Sequence, residues 1–344
     1  MRNFCIIALV LLSNCLLAQS PVDSLVQLGI QFHDNGQYDK AIELYQKALE
    51  IDPASPLTNY EIALTYMHTK DYANSIKHSD IVIEQKGQNL LQAYVTKGSC
   101  LDYLGKTDES IRLFEEGIRK FGDHHLLYYN LGFNYYRLKN YEKAQEIFTK
   151  AVKANPAHAS SHLLLGFTME DLDQKVQSLL CLHYFLLLEP NSERAKTAFN
   201  SLRKQFRGNV KVNKDNPTNI NINILLNSDQ KDSEFGAAEL MISMLEASKS
   251  LEENEGKTDD ELFTENSASF FKMLGELNKK KNKGLWWDFY IPFFDKLAQS
   301  GNMDAYCHYI SQSSDDTAME WLQNNRSKTE QLEAWLKENP AHLQ

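Results

Sequence analysis

The chain has 344 residues, of which 42% are hydrophobic and 24% charged, and its formal net charge is −10. That length suits about two domains of the common ~150-residue size, and the composition excludes wholesale disorder and a multi-span membrane protein. The negative balance offers phosphate backbones no attraction, which argues against nucleic acid as a partner.

The first predicted element is a leader. Arg2 precedes the apolar run from Phe4 to Leu12, long enough for a signal-peptide core but too short to span a bilayer. Residues 1–18 are therefore read as a signal peptide cut after Ala18, leaving Gln19 at the terminus of an exported protein with the periplasm as its expected compartment and no transmembrane segment after cleavage. The ending resembles leaders of Bacteroidetes-type bacteria. The alternative takes Leu12-Ser13-Asn14-Cys15 as a lipobox with Cys15 as a lipid anchor, although Asn14 is a poor residue before such a cut. Cys100, Cys181 and Cys307 then remain, odd in number and far apart, which is no disulfide framework. Each is expected to be a small buried apolar residue.

A repeat follows the leader. Gly29, Ala63, Gly98, Gly132 and Gly166 recur at steps of 34, 35, 34 and 34 residues. Twelve places after each stand Ala41, Ser75, Ser110, Ala144 and Ser178, and sixteen places after stand Tyr45, Ser79, Phe114, Phe148 and Leu182. Pro53, Gly87, Gly122, Pro156 and Pro190 close the units as helix breakers. Each unit reads as two helices, with repeats near 22–55, 56–90, 91–124, 125–158 and 159–192. An amphipathic helix over 192–206 caps the stack, its stripe being Ala195, Ala198, Phe199, Leu202 and Phe206.

Leu28, Gly29, Phe32, Ala41, Tyr45, Ala48 and Pro53 together resemble the tetratricopeptide repeat family, as do Tyr128, Leu131, Gly132, Tyr135, Tyr141, Ala144, Phe148, Ala151 and Pro156 in the fourth unit. The second unit departs most, with Asn59, Ser79 and Gly87 at bulky and proline positions. The resemblance implies an all-α solenoid whose first helices line a concave face through residues three before and one and four after the small residue. That carries over to Tyr60, Leu64, Met67, Tyr129, Phe133 and Tyr136 as an aromatic and apolar groove for a protein partner. The Lys, Arg and Asn set with which some members grip a C-terminal carboxylate is missing here, so no such clamp is expected. The same side chains also suit packing between repeats, or cover by the rest of the chain.

Residues 207–232 hold seven asparagines, and alternation at Val210 and Val212, then Ile220, Ile222 and Ile224, predicts a short hairpin turning at Asp215-Asn216-Pro217-Thr218. Residues 233–344 read as a separate acidic helical domain with 11 basic and 20 acidic side chains. Helices are expected from Ser233, from a capping box of Thr258 with Glu261, and over 285–299, 302–312 and 315–338. Trp286, Phe289, Tyr290, Phe293 and Leu297 share one helical face and read as core, which leaves Trp287 and Phe294 as a secondary contact surface. The lysines at 279, 280, 281 and 283 read as a solvated turn.

No Walker loop, dinucleotide fingerprint, HExxH, CxxC or GxSxG motif occurs. Ser269-Phe270-Phe271-Lys272 matches SxxK without its companion motifs, and His158 with His162 has a spacing that zinc sites use, but His124 repeats His158 one unit earlier. The sequence therefore predicts a non-catalytic scaffold with no cofactor and no metal. The alternatives are an enzyme or enzyme subunit with its site in residues 233–344, and an assembly lipoprotein at the outer membrane.

Overall fold

A computed structural model describes residues 20–207, 210–212, 220–222, 234–249, 251 and 254–340. The leader, Cys15, Gln19, the expected turn at 215–218 and Ile224 lie outside the described residues. The fold is all-α with one short hairpin. Five helix pairs run in order: α1 (Pro21–Asp34) with α2 (Tyr38–Ile51), α3 (Pro56–His68) with α4 (Tyr72–Gln85), α5 (Leu90–Tyr103) with α6 (Thr107–Phe121), α7 (His125–Arg137) with α8 (Tyr141–Ala154), and α9 (Ala159–Asp171) with α10 (Lys175–Leu188). Then come α11 (Glu193–Arg207), strands β1 (Val210–Val212) and β2 (Ile220–Ile222), and six further helices, α12 (Gly236–Ser248), α13 (Asp259–Leu277), α14 (Ile291–Gln299), α15 (Met303–Ser311), α16 (Asp316–Asn324) and α17 (Arg326–Glu338).

The 34-residue spacing has three physical causes. A Cβ added at Gly29, Gly132 or Gly166 would lie 2.5, 2.8 or 2.9 Å from Tyr45, Phe148 or Leu182, so the small residue is what lets the bulky one sixteen places on close the pair. Where the twelfth place holds serine, its hydroxyl donates back to the small residue's carbonyl: Ser75 to Ala63 at 2.7 Å, Ser110 to Gly98 at 2.7 Å and Ser178 to Gly166 at 2.8 Å. The turn inside every pair passes through one left-handed residue, Gly36, Lys70, Gly105, Lys139 or Asp173. The next amide then donates to the carbonyl five residues back, as in Gln37 to Phe32 and Gln174 to Met169, both at 2.8 Å. Three of the five turns lack glycine, which is why composition alone did not reveal them.

The chain divides into two compact units, residues 1–110 and 111–344. In the first, Val26, Ala41, Tyr45, Ala48 and Ile62 form a core cluster. Asn59 is fully buried there in place of a bulky residue, and its polar atoms are all used: Nδ2 donates to the carbonyls of Pro53 and Ser55, and Oδ1 pairs with His78 Nδ1 at 2.8 Å. The departure of the second repeat is thus a polar substitute for packing.

In the second unit one apolar core runs from Ala144 and Phe148 through α10 and α11 to Phe271, Phe294 and Leu332. The expected division into a solenoid ending at 206 and a separate domain over 233–344 does not describe this packing. Helix α10 explains why: Val176, Leu179, Leu180, Cys181, Leu182, His183, Tyr184, Phe185 and Leu186 bury it all round, so it needs partners on two sides. The stripe of α11 is buried as its spacing predicts, but the helix is no terminal cap, since Phe199 and Phe206 meet Phe263 of α13 edge to face.

The hairpin forms with Val210 opposite Ile222 and Val212 opposite Ile220, and both strands lie beside α12. The capping box at Thr258 is present, with Glu261 N–H donating to Thr258 Oγ1 at 3.2 Å. The single helix expected over 315–338 is broken at Asn325, whose side chain donates to the Trp321 carbonyl at 2.9 Å and competes with the helical ladder. The helix expected over 285–299 opens with a π turn at Trp286–Tyr290, because Pro292 has no N–H to continue the ladder.

Candidate functional site

The six groove residues predicted from the sequence fall three to each unit. In the first, α3 carries Tyr60, Leu64 and Met67, all half-buried. Beside them His33, at the end of α1, lies edge-on to the rings of Tyr38 and His68 at 5.2 and 5.0 Å. Thr65 Oγ1 donates to the Glu61 carbonyl and so accepts from His33 Nδ1–H at 2.8 Å. Burial first, and His68 second, lower the His33 pKa. Glu61 moves the other way: burial and then the charge of Asp34 push its carboxyl up to about 7.

In the second unit, α7 carries Tyr129, Phe133 and Tyr136, also half-buried. Gly132, between them in sequence, seats the helix on Phe148. The Tyr129 ring meets His158 edge-on at 5.1 Å, and the Tyr136 ring leans on Tyr141 at 5.5 Å while its hydroxyl hydrogen-bonds Asp171. These contacts brace the aromatic side chains without burying them. Helix α7 packs on α8 and α9, whereas the C-terminal helices gather on α10 and α11.

The secondary contact residues are corrected by the structure. Trp287 and Phe294 are 2% and 0% exposed: Trp287 stacks on Phe235 at 4.9 Å, and Phe294 stacks on Phe271 at 4.5 Å. The π turn adds a residue to the helical turn and neighbours bury more than one face of the helix, so the rule of one buried face fails there. Phe289, Tyr290, Phe293 and Leu297 are core as expected.

What the sequence did not reveal is the polar seam that ties the C-terminal helices to the last repeat. His162 donates from Nε2 to the Pro156 carbonyl at 2.8 Å, which leaves Nδ1 to accept from the Tyr290 hydroxyl at 2.6 Å. The Cys181 thiol donates to the same Tyr290 oxygen at 3.4 Å. With both ring nitrogens committed, His162 has no lone pair for a metal, whatever its spacing from His158. Two residues along α10 from Cys181, the Tyr306 hydroxyl donates to the His183 carbonyl at 3.3 Å and accepts from His183 Nδ1 at 3.0 Å. Burial pushes both histidines down to about 3, so they are neutral. It also raises the Cys181 and Cys307 thiols, the latter to about 12, so both stay protonated. The signal for this seam was the all-round apolarity of residues 176–188.

Two clefts open beside it. One, of about 490 Å³, is lined by Pro156, Tyr184, Leu187, Leu188, Phe293 and Leu336 with Asn155 and Asn339. The other, of about 510 Å³, is lined by Arg203, Lys204 and Arg207 with Asn200, Phe199 and Ser314. Neither brings carboxylates or histidines together. Among the described residues no cluster of three His, Cys, Asp or Glu is arranged to hold a metal, and no helix is long and apolar enough to cross a membrane.

A family model described as TPR repeat matches residues 29–69, and two described as tetratricopeptide repeat match 91–119 and 125–158. The TPR repeat-containing protein MJ1428 of Methanocaldococcus jannaschii is 23% identical over 195 residues, 54% of this chain and 33% of that protein. Human intraflagellar transport protein 70B is 28% identical over 139 residues, 38% of this chain and 19% of that protein. The chain thus spans a third or less of the length of these relatives. A thermophilic TPR protein of Thermus thermophilus superposes with a TM-score of 0.46 at 16% identity, over 54% of this chain and 98% of that one.

Proposed function

Because the chain belongs to the tetratricopeptide-repeat family, we propose that it is a non-catalytic scaffold, exported to the periplasm, that holds a protein partner on the first helices of its repeats. Stacked repeats of this kind present extended concave surfaces, and such proteins generally mediate protein–protein contacts. The observation that carries the reading is the placing of α7: Tyr129, Phe133 and Tyr136 pack partly against the core yet stay partly exposed on one helix, braced by His158, Tyr141 and Asp171, while the chain's own C-terminal helices are seated on α10 and α11. Rigid, partly exposed aromatic side chains lose little entropy on binding and are enriched among residues that dominate interfaces. In this reading residues 234–340 complete and stiffen the second unit. Export rests on the leader pattern of residues 1–18.

The test is capture from the native envelope fraction with the full mature chain, comparing wild type with the double variant Tyr129→Ala and Phe133→Ala. Capture of a defined protein that the variant loses, with its helicity unchanged, supports the reading. Equal capture by the variant overturns it. The mass of the protein recovered from that fraction tests export directly: a chain beginning at Gln19 supports it, an uncleaved chain refutes it, and a lipidated Cys15 replaces the soluble form with an anchored one.

A further inference from the structure

We propose that the cleft between α11 and the turn before α16 binds a phosphoryl group. None of the six groove residues lines it, so the proposal stands or falls independently of partner binding.

The cleft has a volume of about 510 Å³, and its lining joins three cations, an amide, a hydroxyl and one aromatic ring, with no carboxylate. Asn200, Arg203, Lys204 and Arg207 follow one another along α11 at helical spacing, which gathers them on one face. Ser314 comes from the turn between α15 and α16, and its Oγ is buried with no hydrogen-bond partner among the described residues. A buried hydroxyl left so is costly, and an oxyanion in the cleft supplies the acceptor it lacks.

The cations are not saturated by the chain's own acids. Arg203 and Arg207 pair with a single carboxylate, Asp259, which also takes Lys249 at 3.2 Å and stands 3.7 Å from Arg207. Lys204 is 3.8 Å from Glu170, whose Oε2 already accepts from Ser201 Oγ at 2.6 Å. The Asp259 side chain is 56% exposed, so water screens these pairs and a ligand competes with them at little cost. Arg203 is held in place by the Phe263 ring, whose centre lies 4.5 Å from its guanidinium carbon. Asp315, beside Ser314, serves as a helix cap: its Oδ1 accepts from the Thr317 amide at 2.9 Å and the Thr317 hydroxyl at 2.7 Å. Two guanidiniums, an ammonium, an amide and a hydroxyl offer more donors than the two oxygens of a carboxylate can use, and they match the three oxygens of a phosphoryl group. The cleft exceeds the size of a phosphate ion and has Phe199 as an apolar wall, so it takes the group free or on an organic carrier.

The experiment titrates the full chain with inorganic phosphate, and in parallel with acetate, by isothermal calorimetry at constant ionic strength. The protein arms are wild type, the double variant Lys204→Gln with Arg207→Gln, Ser314→Ala, and a control double variant, Lys143→Gln with Lys150→Gln, that removes the same charge from the exposed face of α8. Lys204 and Arg207 are exposed, and Ser314→Ala breaks no hydrogen bond within the chain, so these variants keep the fold. Wild type is expected to bind phosphate saturably with a Kd of about 1 mM or tighter. The two cleft variants should each weaken it about tenfold, as loss of a hydrogen bond to a charged group does, with the control unchanged. Co-sedimentation with phosphatidylcholine vesicles containing phosphatidic acid separates the sources. Vesicle binding that depends on the same residues assigns the site to a lipid headgroup, and phosphate binding without vesicle binding assigns it to a small soluble phosphate. No saturable phosphate binding overturns the proposal, as does acetate binding of equal strength or an equal loss in the control. Loss in the double variant alone means that the basic face of α11 attracts anions without a built pocket, and overturns it too.

Discussion

The neutral, buried His183 gives the second unit a defined sensitivity to acid. Its folded pKa is lowered from the ordinary 6.5 to about 3, and so is that of His162. Between pH 6.5 and about 3 the unfolded chain therefore binds protons at these sites that the folded chain does not, so their contribution is fully present above pH 6.5 and is lost as pH falls. From pH 7 to pH 5 each histidine costs the folded state about 2 kcal/mol, and the pair about 4 kcal/mol. The informative perturbation is His183→Leu. Its ring is enclosed by Phe206, Phe263, Phe271, Phe294 and Tyr306, and Tyr306 keeps the residue-183 backbone carbonyl as its acceptor, so the unit should still fold. All four tryptophans, Trp286, Trp287, Trp321 and Trp335, lie in the second unit, so urea unfolding followed by tryptophan fluorescence reports on it alone. The expected result is a difference in unfolding free energy between pH 7 and pH 5 that is smaller in His183→Leu by about 2 kcal/mol. Identical pH dependence in the two proteins would show that His183 is protonated or solvated in the native state, and the seam as described would be wrong.

Three further outcomes follow from the same packing. Tyr290→Phe strands the His162 and Cys181 polar atoms and should cost about 1–3 kcal/mol in the same unfolding assay, against no measurable change if those bonds contribute nothing. Gly132→Ala places a Cβ 2.8 Å from Phe148 and should cost about 1–3 kcal/mol through overpacking; a neutral result would mean that the pair opens without strain. Truncation after Arg207 removes the partners of α10 and α11 and exposes their apolar faces, so the shortened chain should aggregate or bind a hydrophobic dye. A monomeric truncated chain with cooperative unfolding would restore the picture of a solenoid independent of its C-terminal helices.

The repeat was legible because its causes are local. Gly29, Gly132 and Gly166 must be small because Tyr45, Phe148 and Leu182 lie against them, and a contact between residues sixteen apart in one helix pair leaves its trace at a fixed spacing. The stripe of α11, the capping box at Thr258 and the strand alternation around 210–222 were readable for the same reason, each being a pattern within a few residues. The candidate groove was legible as positions, carried over from the family resemblance; its bracing by His158, Tyr141 and Asp171 was not, since those residues come from neighbouring helices. Trp287 and Phe294 were misassigned because a helical wheel assumes one regular period and one buried face, and here a π turn breaks the period while neighbours bury more than one face.

By itself, then, the sequence determined the helix pairs, their number and the residues that close them, all of which depend on contacts within one repeat or between adjacent ones. Only the tertiary structure decided that the helices beyond residue 234 share a core with the last repeats, and that His162 pairs with Tyr290 and His183 with Tyr306. The pairs in the seam are 128 and 123 residues apart. Their partnership is set by which apolar faces remain uncovered once the local elements have formed, a property of the assembled surfaces and not of any stretch of chain.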